Sequence, residues 1–373
     1  MARLRLLLGG IPLGCDNIGD EAILASVVSM LRESIPGAEL AVATNDPGTA
    51  ERLGVEVVPA FGFLDIPVDG FADALRNRDA YVWCGATGLS DYPHVGFALL
   101  ETAQRKGVPT YVWGVGMDDE PNPVFFRAAG RRRMLLKALG LVGRYESWLL
   151  ARLGRRIARV LPRCRGVWVR DPESAAMLAR MGFSGAGVAA DTAIRFPVPA
   201  DALARPRPRR LGLCISAQRR VRDLEGVRRL AAAVRADGGE VVGIPMNPKT
   251  DRALMEGLGV ECIPGDTPEA VVEAAASCAA VVSSRLHLLI LAANAGTMGI
   301  GVARGAKIAN WLANFGQTPA GSVADCDWDG VAARVGEAFR DRGKWTAVRA
   351  RAYAGLDARL ESARAEFVRR LLE

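Results

Sequence analysis

Histidine is scarce in this sequence, and its cysteines form no pattern. The chain of 373 residues has two histidines and seven cysteines, and no two cysteines form a Cys-x-x-Cys pair. Such a scattered, odd set is typical of reduced thiols and argues against a disulfide framework or a zinc site. No apolar run reaches the length of a membrane span. We therefore expect no metal site, and a composition that is half hydrophobic fits two α/β domains.

The N-terminal stretch lacks the glycine spacing of a dinucleotide-binding turn. Its apolar run at 6–8 is followed by glycines and Pro12, and Pro12 lies where a lipoprotein signal ending at Cys15 requires an aliphatic residue. We therefore interpret the segment as a first strand, a glycine-rich turn and an amphipathic helix. Asn17 and Asp20 give the start of this helix a capping-box pattern.

Strand and helix patterns alternate along most of the chain. This alternation predicts α/β architecture with parallel sheets, right-handed crossovers and helices on both faces. After Asp191 the pattern lapses into a stretch rich in proline and arginine, which marks a domain boundary. We expect two facing, doubly wound Rossmann-like domains at 1–200 and 209–344, and a closing helix at 345–373 that packs across them. After the first strand, the predicted strands are 40–43, 55–58, 80–84, 110–113, 167–170, 211–215, 241–244, 260–263, 280–283 and 298–302.

Cationic and titratable residues follow several predicted strands. Arg285 and His287 stand where the buried strand at 280–283 gives way to a helix, Arg170 ends an earlier strand, and Lys307 follows the last one. Backbone N–H groups and the helix dipole attract anions at such junctions. We infer an anion site with His287 placed for proton transfer. The structural alternatives are that His287 satisfies a neighbouring carbonyl, that Arg170 bonds a helix end or a carboxylate of the other domain, and that Lys307 faces solvent.

Several short motifs occur together along the chain. The most specific are Asn17-Ile18-Gly19-Asp20-Glu21-Ala22-Ile23 and Arg285-Leu286-His287. The others are Trp113-Gly114-Val115-Gly116, Val169-Arg170-Asp171-Pro172-Glu173-Ser174, Ala190-Asp191, the stretch 245–251 and Lys307-Ile308. In this order the motifs resemble the polysaccharide pyruvyl transferase family, and the matches span nearly the whole chain.

The resemblance implies a fold similar to the two-domain B-type glycosyltransferases and a reaction with phosphoenolpyruvate. In that family the enolpyruvyl carbon is transferred to two hydroxyls of a sugar, which gives a pyruvate ketal and free phosphate. The expected acceptor is a sugar of a cell-envelope or lipid-linked glycan. No cofactor is expected, because phosphoenolpyruvate is itself the donor substrate.

The same resemblance implies roles for individual residues. Arg170, Arg285 and Lys307 would hold the phosphate and carboxylate of the donor, since arginine gives planar two-point contacts. His287 would act as general acid and base. The remaining residues expected at the substrate are Asn17, Asp20 and Gly85. Of these, we expect Asp20 to brace the turn rather than to contact the acceptor.

The sequence departs from the family's pattern in places. Three successive glycines are usual where this chain has Gly85-Ala86-Thr87-Gly88, and an Asp-Pro-Lys triplet is common where it has Gly305-Ala306-Lys307. An arginine often ends the first strand of the second domain, whereas position 216 is serine, with Arg219 and Arg220 close by. The set of Arg170, Arg285 and His287 is intact.

Two other functions remain open. A nucleotide-sugar glycosyltransferase of the same fold would use the cations to hold a diphosphate. A non-catalytic relative would bind a glycan or a lipid phosphate. The altered glycine stretch is the reason to consider this alternative. An activity that depends on phosphoenolpyruvate would distinguish a pyruvyl transferase from both alternatives.

The segment 127–165 carries most of the basic charge. It contains twelve arginines and lysines against a single acid, Glu146, whereas the net charge of the whole chain is +7. Apolar residues at helical spacing, Leu149, Leu153, Ile157 and Val160 or Leu161, form a stripe among the arginines. The segment is either a core helix with a solvated basic face or a basic amphipathic helix that binds anionic lipid. We expect a cytoplasmic enzyme, peripheral on the inner face of the membrane in the second case, and no nucleic-acid partner.

Overall fold

The computed structural model of the chain describes residues 3–119, 122–218 and 221–373. The chain divides into two compact units. Unit 1 comprises the chain up to Gly14, Val27–Asp191 and Arg359–Glu373, and unit 2 comprises Cys15–Ser26 and Thr192–Ala358. Cys15–Ser26, which the sequence analysis groups with the N-terminal domain, thus belongs by its contacts to unit 2.

Unit 1 is built on a parallel sheet of seven strands. They are β1 (Arg5–Gly9), β2 (Glu39–Ala43), β3 (Glu56–Val58), β4 (Ala80–Cys84), β5 (Thr110–Val115), β6 (Gly166–Val169) and β7 (Gly187–Val188). Their order is β3-β2-β1-β4-β5-β6-β7. Every residue of β4 and β5 is buried, as expected for central parallel strands covered on both faces.

Helices connect these strands along the chain. They are α1 (Ile18–Ser34), α2 (Gly48–Leu53), α3 (Phe71–Ala74), α4 (Gly88–Asp91), α5 (Pro93–Arg105), α6 (Pro123–Phe126), α7 (Gly130–Ala138), α8 (Val142–Val160) and α9 (Pro172–Arg180). Short 3-10 turns occur at Leu161–Arg163 and Thr192–Arg195.

Unit 2 repeats the architecture on a parallel sheet of four strands, in the order β11-β10-β8-β9. The strands are β8 (Arg210–Cys214), β9 (Glu240–Gly243), β10 (Ala280–Ser283) and β11 (Met298–Gly301). The helices are α10 (Leu224–Ala236), α11 (Asp251–Glu256), α12 (Pro268–Ala276), α13 (Leu286–Asn294), α14 (Ala306–Ala313), α15 (Trp328–Arg340) and α16 (Gly343–Leu372). Within the described parts of the chain, no helix is long and apolar enough to cross a membrane. The predicted α/β class with two parallel sheets is confirmed.

The prediction of a strand at 260–263 is wrong. This segment forms only an isolated bridge between Cys262 and Gly243 at the end of β9. Gly243 N donates to Glu261 O at 2.7 Å, and Ile263 N donates to Gly243 O at 2.9 Å. The pairing stops there because the next residue, Pro264, has no N–H to donate.

The C-terminal helix α16 contributes to both units. Its residues up to Ala358 belong to unit 2, where Trp345 Nε1 donates to Gly296 O at 3.1 Å. Its residues from Arg359 belong to unit 1, where the ring of Phe367 stacks on Trp113 with centroids 4.8 Å apart. The closing helix predicted at 345–373 is therefore present, and each of its ends is anchored by an aromatic residue.

Helix α8 is a core helix. It buries three apolar residues of the predicted stripe, Leu153, Ile157 and Val160. Arg156 and Arg159 both pair with Glu101, each at 2.8 Å. Because the stripe is buried and two of the arginines pair with Glu101, α8 favours the core-helix interpretation. Binding of the segment to anionic lipid stays a prediction.

Candidate functional site

Asn17 organises the turn that precedes α1. Its carbonyl oxygen accepts hydrogen bonds from Asp20 N at 3.0 Å and Glu21 N at 3.3 Å. Its side-chain Oδ1 accepts from Gly19 N at 3.3 Å, and its Nδ2 donates to the Asp20 carboxylate at 2.6 Å. Asn17 therefore caps the helix, as its position in the sequence predicts, and also orients the side chain of Asp20.

Asp20 is a buried carboxyl group, 3% exposed. Burial raises its pKa from 3.8 to about 6, because the charged form loses hydration. His287 opposes this increase, Glu21 adds to it, and the amide of Asn17 and the cation of Lys307 also favour the charged form. A carboxyl that titrates near neutral pH is suited to giving and taking a proton. This environment suits Asp20 for chemistry as well as for the bracing role that the sequence suggested.

His287 packs against the backbone of Gly19. It is the second residue of α13 and is half-buried. A Cβ atom at position 19 would lie 2.2 Å from His287 Nδ1 and 2.5 Å from its Cγ, so no side chain fits there. The glycine of the N-terminal motif thus makes room for the imidazole of the Arg-Leu-His motif. The two most specific motifs of the sequence meet in unit 2.

Arg285 is held by a buried ion pair with Asp251. Its Nε and Nη2 donate to the two carboxylate oxygens at 3.0 and 2.8 Å. Asp251 is fully buried and also accepts hydrogen bonds from Ala217 N and Asn247 N, both at 3.0 Å. The guanidinium is therefore fixed in orientation, and its Nη1 group is not used in the pair.

Lys307 and Arg304 are two further cations of unit 2 that we consider for the donor. Lys307 is the second residue of α14, and its charge acts on Asp20. Arg304 Nη1 donates to Ser216 Oγ at 3.0 Å and to Gln218 O at 3.1 Å. A guanidinium thus reaches position 216, although the residue itself is serine where the family often has arginine. Arg219 and Arg220 lie outside the described residues.

Arg170 lies in unit 1 among carboxylates. Its Nε donates to Asp171 at 3.2 Å, and its Nη1 is 3.7 Å from Asp191 Oδ2. Burial lowers the pKa of Arg170, but the charges of Asp171, Asp191 and Asp118 outweigh burial and raise it. A Cβ at Gly116 would lie 2.5 Å from Arg170 Nη2, so the second glycine of Trp-Gly-Val-Gly leaves room for this side chain. These surroundings favour a structural role for Arg170. Its carboxylate neighbours lie in its own unit rather than in the other domain, and one of them, Asp171, caps the start of α9.

Gly85 lies in unit 1 at the end of β4, in the altered glycine stretch. Gly85 and Ala86 both have positive φ, 77° and 57°. Gly85 N donates to Trp113 O at 2.8 Å, and Ala86 O accepts from Gly116 N at 2.7 Å. Left-handed backbone favours glycine, so Ala86 adopts it at a cost of about 1 kcal/mol. The predicted substrate contact of Gly85 stays a prediction.

A family model described as polysaccharide pyruvyl transferase matches residues 17–305. This chain belongs to the polysaccharide pyruvyl transferase family. The match begins at Asn17 and includes Arg170, Arg285 and His287, whereas Lys307 lies just beyond it.

Solved structures with a similar fold are B-type glycosyltransferases and a related epimerase. A UDP-glucosyltransferase from Polygonum tinctorium is 12% identical over 100% of both chains, with a TM-score of 0.56. A UGT transferase from Siraitia grosvenorii in complex with UDP is 11% identical over 100% of both chains, also with 0.56. A putative UDP-N-acetylglucosamine 2-epimerase from Listeria monocytogenes is 12% identical over 94% of this chain and 91% of that chain, with 0.57. At these identities the likeness shows the fold alone. No curated protein matches the chain.

For this pyruvyl transferase family member, sequence reasoning found the candidate residues but missed the groups that hold them. Asp251 ends the motif stretch 245–251, but the sequence assigned it no contact. An acid at the start of a helix ordinarily indicates only an interaction with the helix dipole. Arg304 received no role from the sequence. Their partners, Arg285 and Ser216, are distant in sequence, so no local pattern could have revealed either contact.

Replacing Gly19 by Ala should displace the imidazole of His287. The new Cβ would overlap Nδ1, so the ring must rotate or α13 must shift. With two histidines in the chain, the imidazole NMR signals can be assigned with a His94→Gln variant. We expect the signals of His287 to move and those of His94 to stay. Gly355→Ala, at a helical glycine with no atom within 4 Å of the new Cβ, is the control. Unchanged His287 signals in Gly19→Ala would contradict the packing.

Asp20→Asn should change how stability depends on pH. Because the folded-state pKa is raised from 3.8 to about 6, the folded protein binds more protons than the unfolded chain in this window. The contribution of Asp20 is therefore present at low pH and is lost as pH rises through this window, by about 3 kcal/mol in total. The measurement is the free energy of unfolding of wild type and variant in denaturant between pH 4 and 7. As pH rises, the stability of the wild type should fall relative to that of the variant. Asp329→Asn, on the exposed face of α15, should follow the wild type. Parallel curves for wild type and Asp20→Asn would refute the raised pKa.

Proposed function

We propose that this protein transfers the pyruvyl group of phosphoenolpyruvate to two hydroxyls of a sugar in a cell-envelope or lipid-linked glycan, on the cytoplasmic side. Membership of the family supports pyruvyl transfer in general. The observation that carries the finer proposal is the cluster of Asn17, Asp20 and His287 in unit 2, with the cation of Lys307 acting on it. It combines two proton-transfer groups with positive charge.

The reaction requires two proton movements. Two C–O bonds form between carbon 2 of the donor and the sugar oxygens, and the bond from that carbon to the phosphate oxygen breaks. One hydroxyl proton ends on the methylene carbon, which becomes a methyl group, and the other ends on the departing phosphate. One group must therefore supply a proton to carbon while another accepts one from a hydroxyl.

Asp20 and His287 fit these two tasks. The buried Asp20 has a pKa of about 6, so it exchanges a proton near neutral pH. His287 is the other titratable group of the cluster, and imidazole can both accept and return a proton. Asn17 orients Asp20 through its 2.6 Å hydrogen bond, and Gly19 positions the imidazole. In this proposal His287 takes the proton of one hydroxyl and passes it to the departing phosphate. Asp20, protonated, supplies the proton to carbon and is reprotonated by the second hydroxyl.

The cations of unit 2 fit an anionic donor. Phosphoenolpyruvate carries a phosphate and a carboxylate, and guanidinium groups bind both in a planar, two-point manner. Arg285 is oriented by Asp251 and retains Nη1 for a donor oxygen. Lys307 and Arg304 add charge. Arg170 has three acidic neighbours, so we expect it to contribute less to donor binding than Arg285.

A nucleotide-sugar glycosyltransferase is the second candidate. Relatives by fold include structures described as complexes with UDP. The same cations could hold a diphosphate. The discriminating experiment is phosphate release from phosphoenolpyruvate in the presence of a cell-envelope glycan extract, compared with release of UDP from UDP-glucose in the same extract. Turnover of UDP-glucose alone would favour the second candidate.

His287→Gln should abolish most of the turnover. Loss of a general acid–base group reduces the rate by roughly two to four orders of magnitude. Binding of phosphoenolpyruvate, measured by calorimetry, should change little, because the cations remain. The matched control is His94→Gln, which replaces the other, exposed histidine in unit 1. Near-normal phosphate release by His287→Gln would reject the assigned role.

Arg285→Lys should weaken donor binding about tenfold or more. Lysine keeps the charge but loses the planar two-point contact, and a charge-assisted hydrogen bond contributes about 1.5–3 kcal/mol. Lysine is preferable to alanine here, because alanine would leave the buried carboxylate of Asp251 without its cation. Calorimetry with phosphoenolpyruvate is the measurement, and Arg170→Lys is the comparison, with a smaller expected loss. Equal affinity in wild type and Arg285→Lys would exclude Arg285 from the donor site.

A further inference from the structure

Helix α7 and its neighbours expose a cluster of large apolar side chains. Helix α7 buries no residue. Of nine large apolar side chains exposed among the described residues, five lie between positions 124 and 148. They are Val124 (75%), Met134 (73%), Leu135 (63%), Leu139 (60%) and Trp148 (47%). Clustered exposure of this kind marks an interaction surface.

The same surface is strongly basic. Six exposed cations accompany the apolar side chains, and no acid occurs between residues 122 and 145. The cations are Arg127, Arg131, Arg132, Arg133, Lys137 and Arg144. The next acid, Glu146, accepts a hydrogen bond from Ala128 N at 3.2 Å. We call these six cations and five apolar side chains the α7 surface.

The α7 surface is ordered as an amphipathic face. Arg131, Met134, Leu135, Ala138 and Leu139 recur at intervals of three and four residues, so they form one stripe along the helix. On α8, the ring of Trp148 stacks on Tyr145 with centroids 5.9 Å apart. The hydroxyl of Tyr145 accepts a hydrogen bond from Arg132 at 2.8 Å.

We propose that the α7 surface binds the surface of an anionic lipid bilayer. Aliphatic side chains of this size enter the boundary between headgroups and acyl chains, tryptophan lies at headgroup level, and the cations pair with lipid phosphates. The charge opposes a second copy of this chain docking face to face, because a two-fold contact would place identical cations against each other. The aliphatic side chains oppose nucleic acid, since bases stack on aromatic or guanidinium planes rather than on methionine and leucine.

The test is cosedimentation of the full chain with vesicles of phosphatidylglycerol and phosphatidylcholine, against vesicles of phosphatidylcholine alone. The wild type should bind the first and not the second. Arg131, Arg133 and Lys137→Gln together should weaken binding on the order of 100-fold. Met134, Leu135 and Leu139→Gln together should weaken it roughly tenfold or more and leave folding intact, because these side chains are exposed.

The matched control removes three exposed cations elsewhere in unit 1, Arg105, Lys106 and Arg180→Gln. It should bind like the wild type, and its circular dichroism should match that of the two other variants. Equal binding to both kinds of vesicle, or equal loss in the control, would overturn the proposal. So would self-association that the Met134, Leu135 and Leu139 variant abolishes, or binding to a single-stranded oligonucleotide in place of vesicles. This surface is independent of the proposed reaction, so soluble-substrate turnover in the variants should equal that of the wild type.

Discussion

A single buried carboxylate, that of Asp251, holds together the part of unit 2 on which the candidate site is built. It accepts hydrogen bonds from the segment after β8, at Ala217 N, and from the segment after β9, at Asn247 N. It also pairs through both oxygens with Arg285, the residue that opens α13. Breaking a buried pair from one side typically destabilises a protein by about 3–5 kcal/mol. Because α13 begins at this pair, the position of His287 depends on it.

Close backbone approach is the second constraint. In unit 2 the imidazole of His287 occupies the space that a Cβ at Gly19 would take, and in unit 1 the guanidinium of Arg170 does the same at Gly116. Neither glycine is required by a left-handed backbone, since neither has a positive φ. Both are explained by the side chain that packs over them.

Tertiary surroundings separate residues that look alike in the sequence. Arg285 has one carboxylate partner, whereas Arg170 has three acidic neighbours that raise its pKa. The two helices of the basic segment 127–165 also differ in their surroundings. On α8 the apolar stripe is buried and Arg156 pairs with Glu101, whereas α7 buries nothing and leaves its apolar and basic side chains exposed. Charge density in the sequence indicated the whole segment, whereas the exposed large apolar side chains of this segment lie on α7 and its neighbours.

The sequence by itself determined the alternation of strands and helices, the parallel sheets, the closing helix and the family. These follow from local periodicity and from motifs, which depend on neighbouring residues. It also predicted Asn17, Asp20, Arg285 and His287 as candidate site residues. Only the tertiary structure decided that the motif at 17–23 joins the Arg-Leu-His motif in unit 2, that Asp251 and Arg304 support the site, and that 260–263 forms a bridge rather than a strand. These outcomes rest on contacts between segments far apart in the chain, and on the desolvation that raises the pKa of Asp20, neither of which a local pattern encodes.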